Sequence, residues 1–130
     1  MDQNANMNSL VGKVVCVRWL KPYAEAHNHV AIGQVSAETP HYVSLYCKVY
    51  HIGKHRGCPR AKLVPNKSIG GILEGDKRLR HIPWSRIELI CEHPSDTDWN
   101  VDAWVSEDGS CILQNSYKTV VTRAQDGDLR

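Results

Sequence analysis

The sequence predicts a mainly β fold, namely a small five-stranded barrel with a C-terminal β-hairpin extension. Three observations favour this class. Short runs of β-branched and aromatic residues recur along the chain, Gly and Pro separate these runs, and no segment longer than about ten residues has helical periodicity. The length of 130 residues suits one domain with one modest hydrophobic core. Five short strands usually close into a barrel, because closure removes the exposed edges of the sheet.

The first three strands are predicted at residues 13–20 (KVVCVRWL), 30–36 (VAIGQVS) and 41–52 (HYVSLYCKVYHI). β-branched and aromatic residues dominate the first run, and Gly33 within the second run favours a bulge or a bend. The third run alternates between two sets of residues, of which one is uniformly apolar. Since alternate residues of a strand face opposite sides, this set should face the core. Its members are Val43, Leu45, Cys47 and Val49.

Later strands are predicted at residues 71–73, 78–82 and 86–91, with residues 74–77 (EGDK) as a hairpin turn between the first two. Pro83 ends the second of these strands, and a single turn leads into the third. Residues 101–106 and 111–114 flank the sequence EDGS, which predicts an Asp-Gly hairpin, and a last strand follows at 117–123. The remaining predicted core positions are Val15 or Val14, Val17 or Cys16, Ile87 and Leu89.

Composition divides the chain into five segments. The predicted organisation is a disordered lead at 1–10, a barrel at 11–91 with a basic loop at 53–70, a polar linker at 92–100, a C-terminal hairpin and strand at 101–123, and a polar tail at 124–130.

The order of four segments resembles the small β-barrels of the SH3-like and Sm-like type. These segments are GKVVCVRW, AIGQVS, HYVSLYCKVY and IPWSRIELI, and they span roughly residues 11–91. In such barrels a Gly-led first strand precedes a bent strand containing G-x-V, and a proline and one tight turn lead into the last strand. The Asp-plus-Asn loop by which Sm proteins hold RNA is missing, so the resemblance implies a barrel and no particular binding residue.

The termini and the cysteines predict a cytoplasmic protein without a membrane partner. No apolar run approaches the roughly 20 residues that span a bilayer. The first ten residues have neither the basic nor the apolar region of a signal peptide. The five cysteines are odd in number and lack CxxC spacing, which favours reduced thiols.

Charge is strongly segregated along the chain. Residues 48–86 carry ten Lys or Arg against two acids, whereas residues 87–130 carry nine acids against three bases. Cations dispersed among aromatic residues are typical of surfaces that bind single-stranded nucleic acid or another anion, and Tyr50 and Trp84 bracket this stretch. The predicted binding residues are Lys54, Arg56, Arg60, Lys62, Lys67, Lys77, Arg78 and Arg80.

Other interpretations remain open. The basic stretch is a solvated loop, or it pairs with the acidic segment 88–108 of its own chain or of a neighbour. The protein is alternatively a structural or assembly protein that forms a homo-oligomer through its basic and acidic surfaces, and an enzyme is the third class of function.

One set of residues has the chemistry of a zinc site, namely Cys47, His51, His55 and Cys58. However, residues i and i+4 of a strand lie about 13 Å apart, which is too far for both to bind one ion unless the strand bends. We therefore expect no metal and no other cofactor. The G-x-S-x-G, Walker-type and H-E-x-x-H motifs are absent, so no catalytic residue is assigned. The sequence predicts a non-catalytic binding module.

Overall fold

The computed structural model describes residues 9–23, 28–53 and 60–123, which confirm a mainly β fold. None of these residues belongs to a helix that is long and apolar enough to cross a membrane. The regular elements of this part of the chain are β1 (Val14–Trp19), β2 (Asn28–Glu38), β3 (Tyr42–Ile52), β4 (Ala61–Lys62), β5 (Ser68–Ile69), β6 (Ile72–Glu74), β7 (Arg78–Pro83), a 3-10 turn (Trp84–Arg86), β8 (Ile87–His93), β9 (Ala103–Val105), β10 (Cys111–Leu113) and β11 (Val120–Thr122).

Seven strands form the first sheet, in the order β5-β6-β3-β2-β1-β8, and β7 also pairs with β3. All of the pairings in this sheet are antiparallel. Because β2 runs along one edge of β3, β6 and β7 share the other edge, with β6 opposite residues 50–52 and β7 opposite residues 42–47. The 3-10 turn connects β7 directly to β8 at the far end of the sheet.

The second sheet has the order β11-β10-β9-β4. The predicted Asp-Gly hairpin is confirmed: β9 pairs with β10, and Gly109 adopts the positive φ of 86° that the turn requires. β4 belongs to the predicted basic loop at 53–70, and the structure also places β5 in that loop. The C-terminal hairpin and part of the basic loop therefore form a second sheet, separate from the first.

The core has two parts, one on each face of the first sheet. One part lies between the sheets, where Ile32, Tyr50 and Ile72 of the first sheet pack with Val105 and Leu113 of the second. The other part lies on the opposite face, where the partly buried Ile87 and Ile90 of β8 pack against core residues from β1, β2, β3 and β7, so the sheet curls around this core. These core residues are Val15, Val17, Ala31, Val35, Val43, Leu45, Cys47, Val49 and Ile82. We call this curled side the concave face.

Closure into a five-stranded barrel is not confirmed. No β-ladder joins β7 to β8 within the part of the chain that the structure describes, so the sheet remains open there. Packing of Ile82, Trp84 and Ile87 against the concave-face core brings these two ends together without main-chain pairing.

Two predicted local features are wrong. The hairpin at residues 74–77 does not form, because Gly75 N donates to Val49 O at 2.8 Å and the chain continues along the edge of β3. Leu89 is 45% exposed rather than in the core. A register shift opposite Arg18 and Trp19 interrupts the alternation of β8, so Ile87 and Ile90 are the residues that pack against the concave-face core.

Two further predicted features lie at other positions in the structure. The irregularity in β2 lies between Val35 and Ala37, and not at Gly33. β8 extends to His93, and Trp99 packs against the core between the sheets, so the predicted linker at 92–100 is in part ordered and packed.

Candidate functional site

The first part of the predicted basic surface pairs with the acidic C-terminal segment. Arg60 lies 2.6 Å from a carboxylate oxygen of Glu107, and Lys62 lies 3.0 Å from one of Asp102. This pairing follows from the second sheet, because Ala61 and Lys62 of β4 lie opposite Val105 and Trp104 of β9. All four charged side chains are exposed, so each ion pair is worth only about 0 to 1 kcal/mol. The pairs nevertheless neutralise these two cations locally.

A second group of predicted cations lies at the junction of β6 and β7. Asn66 Nδ2 donates to Asp76 Oδ1 at 2.8 Å, which ties the turn that carries Lys67 to the connection that carries Lys77. Arg78 begins β7 opposite Cys47, so it lies on the concave side of the sheet, and it forms a long ion pair with Asp76, at 3.8 Å. Lys67 and Lys77 are exposed and form no ion pair with any residue in the described ranges.

Arg80 does not belong to the exposed surface, because it points to the concave face of the sheet. It lies opposite Leu45 and is half-buried beside the Cys47 thiol. Burial raises the pKa of Cys47 to about 11, although the nearby guanidinium acts in the opposite direction. The structure therefore makes Arg80 part of the wall of the concave-face core. Lys54 and Arg56 lie outside the described residues.

The two aromatic residues that were expected to bracket the basic surface have structural roles. Tyr50 is fully buried, and its hydroxyl donates to Glu74 Oε2 at 2.7 Å. Trp84 packs against the concave-face core, and its Nε1 donates to Thr39 O at 2.7 Å. The Tyr50 ring is therefore not available to a ligand, so its predicted place beside the basic surface is wrong, whereas the Trp84 ring is only partly buried.

A different aromatic surface lies on the first sheet, on the side opposite the concave face. Tyr42 and Tyr46 alternate with the core residues of β3 and are 37% and 44% exposed. Leu79 and His81 of β7 lie opposite Tyr46 and Ser44, so they share this side. The Tyr42 ring meets the His81 ring edge-on at a centroid distance of 5.4 Å. We call Tyr42, Tyr46, Leu79 and His81 the outer aromatic face.

The second sheet accounts for the exposure of this face, because it covers only the other end of β3. There Tyr50 and Ile52 pack between the sheets, and Lys48 Nζ donates to Val101 O at 3.1 Å. Trp99 lies at the edge of the covered part of β3. It packs against the core between the sheets and contacts the Tyr46 ring edge-on, with the ring centroids 5.9 Å apart. Tyr46 is thus the first residue of β3 beyond that cover that faces outward.

Lys77 connects the second group of cations with the outer aromatic face. Its Nζ lies 5.2 Å from the centroid of the Tyr46 ring, within the distance of a cation–π contact. His81 Nδ1 forms a hydrogen bond of 2.6 Å with Ser44 Oγ, which fixes the imidazole on the same surface. The structure therefore brings exposed cations and exposed aromatic rings together at the β3–β7 edge.

The candidate zinc ligands are only partly described. Cys47 is buried in the concave-face core, and the His51 ring stacks on His29 of the neighbouring strand with centroids 4.2 Å apart. His55 and Cys58 lie outside the described residues. No group of three His, Cys, Asp or Glu side chains within the described part is arranged to hold a metal ion.

Comparisons with protein-family models, with curated proteins and with solved structures found no match for this chain. The evidence for the candidate site therefore comes from its geometry alone. Sequence reasoning missed the exposed surface that Tyr42 and Tyr46 form, although their alternation with Val43 and Leu45 carried the signal. Pairing of the basic stretch with the acidic segment of its own chain was one of the open alternatives, and Arg60 and Lys62 do pair with that segment, but the sequence has no local signal for their individual partners.

Proposed function

We propose that this protein is a non-catalytic binding domain that holds single-stranded nucleic acid on the outer aromatic face. In this proposal bases stack on Tyr46 and Tyr42, and Lys67 and Lys77 contact phosphates. The observation that carries it is the exposed Tyr46 ring with the Lys77 ammonium 5.2 Å from its centroid. Sequence-tolerant binding of single strands combines such stacking surfaces with cations that follow the backbone.

The resemblance to SH3-like and Sm-like barrels remains part of this proposal. One 3-10 turn after Pro83 leads into β8, which is the feature of that resemblance that favours it. Fold analogy alone assigns no function, so the binding proposal depends on the residues of the outer aromatic face.

The alternative function, assembly through opposed basic and acidic surfaces, has less support. Arg60 and Lys62 already have acidic partners within the chain, in Glu107 and Asp102. These contacts remove part of the charge that was available for contacts between copies. Light scattering at low and high salt tests this alternative, since a salt-sensitive oligomer would favour it.

A titration with a labelled single-stranded oligonucleotide at about 50 mM salt tests the proposed function. We expect Tyr46→Leu to weaken binding by about 5- to 150-fold, because stacking on an aromatic side chain is worth ~1 to 3 kcal/mol per base. Tyr23→Leu is the matched control, since Tyr23 is also exposed and lies outside the outer aromatic face. Equal affinities of the two variants would contradict the stacking role of Tyr46.

A further inference from the structure

A groove of about 460 Å³ lies between the two sheets, away from the outer aromatic face. Its lining comes from β1, β2 and β8 of the first sheet and from β11 and residues 117–119 on the other side. Sites for small molecules commonly have volumes of ~300 to 1,000 Å³, so the groove is large enough for a compact ligand.

The floor and one wall of the groove are apolar. Val30 and Val121 are buried in the core between the sheets, and Cys16 packs against the same core. The Cys16 thiol contacts Val121 O at 3.8 Å, which connects the two sheets at the bottom of the groove. Leu89 and Cys91 are exposed and form the wall that β8 contributes. The Leu89 side chain, which the sequence placed in the core, therefore points into this groove.

Three cations line the groove, namely Arg18, Lys118 and Arg123, and none of the lining residues in the described part of the chain is acidic. Glu88, which pairs with Arg18 Nε at 2.7 Å, is not part of the lining. Lys118 and Arg123 are exposed, so their charges lie toward solvent rather than on the apolar floor. His93 also lines the groove, and burial lowers the pKa of its imidazole, which is therefore neutral at pH 7.

We propose that this groove binds a small amphipathic carboxylate. The apolar chain of the ligand lies against Val30, Leu89 and Cys16, and its carboxylate faces Lys118 and Arg123. Charge complementarity selects this occupant, because an apolar floor beside exposed cations fits a molecule with an apolar body and an anionic end. The inference is independent of nucleic-acid binding, which uses the other end of the molecule's first sheet.

Calorimetric titration with octanoate, octan-1-ol and octylamine tests the selectivity of the groove. We expect octanoate to bind with a Kd of about 1 mM or tighter, and about tenfold more tightly than octan-1-ol, with octylamine weakest. Equal binding of octanoate and octan-1-ol would overturn the proposal, and so would the absence of octanoate binding at millimolar concentration.

Two further measurements locate the ligand. Leu89→Asp should weaken octanoate binding by about tenfold or more, because it removes an apolar contact and adds a repelling charge, whereas Leu20→Asp, at an exposed position outside the groove, should have little effect. In the unmodified protein, octanoate should slow alkylation of Cys91 by iodoacetamide, followed by peptide mass spectrometry. This second readout does not depend on the folding of a variant. Unchanged alkylation with bound octanoate would place the ligand elsewhere and overturn the proposal.

A second copy of the chain is the competing occupant of the groove. Light scattering of the wild type and of Leu89→Asp shows whether a second copy of the chain occupies the groove. If the wild type is a dimer, Leu89→Asp is a monomer, and octanoate binds both equally, then the groove is an interface between copies and the carboxylate proposal fails.

Discussion

Glu74 is an acidic residue with 2% of its surface exposed, and its environment shows how this small protein stabilises a buried charge. The Tyr50 hydroxyl donates to its Oε2 at 2.7 Å, and Lys48 Nζ lies 3.6 Å from the same oxygen. Lys48 also donates to Val101 O, so this polar cluster connects the first sheet to the segment that leads into the second. A buried carboxylate that lost these partners would destabilise the fold, because its desolvation would no longer be offset.

Tyr50→Phe tests the contribution of this cluster. We expect the free energy of unfolding to fall by about 2 kcal/mol, since hydrogen bonds to charged groups contribute ~1.5 to 3 kcal/mol. Tyr42→Phe is the matched control and should change stability by less than about 0.5 kcal/mol, because Tyr42 is on the surface. Urea unfolding measures both values, and similar losses in the two variants would contradict the role of the Tyr50 hydroxyl.

The same cluster predicts a dependence on alkaline pH. Burial, first of all, raises the pKa of Tyr50 far above its ordinary value near 10, so the folded state holds this proton more tightly than the unfolded state. Its contribution to stability is complete below pH ~10 and is lost as the pH rises above that value, at up to about 1.4 kcal/mol per pH unit. Tyr50→Phe should lack this component of the alkaline loss of stability.

At the scale of elements, β2 and β3 approach each other at Gly33 too closely to accommodate a side chain there. A Cβ atom added at Gly33 would lie 2.0 Å from Tyr46 O and 2.6 Å from Cys47 Cα. Both atoms belong to the backbone of β3, so no side-chain rotation relieves the clash. Since β3 carries the concave-face core on one side and the outer aromatic face on the other, this contact positions both.

Gly33→Ala should therefore lower the free energy of unfolding by about 3 kcal/mol or cause loss of the folded state, because the strands must separate. Gly75→Ala serves as the comparison, since its added Cβ would meet Val49 O at a milder 3.2 Å. Circular dichroism during thermal unfolding measures both variants. A Gly33→Ala variant as stable as Gly75→Ala would show that β2 and β3 are not so closely paired.

Local patterns predicted some elements and not others for identifiable reasons. The alternation of β3 and the Asp-Gly turn before β10 are properties of adjacent residues, and both are found in the structure. The failed hairpin at 74–77 had equally good turn residues, but both flanking strands pair with β3 instead of with each other. The ion pair between Arg60 and Glu107 joins residues far apart in the chain, so only the assembled second sheet reveals it.

At the scale of the whole molecule, folding separates the cations of the basic stretch into two groups. Arg60 and Lys62 are paired with acids of the C-terminal hairpin. Lys77 remains exposed beside the outer aromatic face, and Lys67 is exposed on the turn that Asn66 ties to Asp76. The net charge of the basic stretch thus overstates the number of cations that are free to contact phosphates, and we expect Lys67 and Lys77 rather than Arg60 and Lys62 to contact the nucleic acid.

The salt dependence of oligonucleotide binding tests this claim most directly. The double variants Lys67→Ala/Lys77→Ala and Arg60→Ala/Lys62→Ala remove the same net charge, so a general loss of attraction affects both equally. Each phosphate contact of a single strand adds about 0.7 to the slope of log affinity against log salt. We expect the slope to flatten by about 1.4 in Lys67→Ala/Lys77→Ala and to stay unchanged in Arg60→Ala/Lys62→Ala. Equal slopes in the two variants, or no binding by the wild type at tens of micromolar protein, would contradict the account.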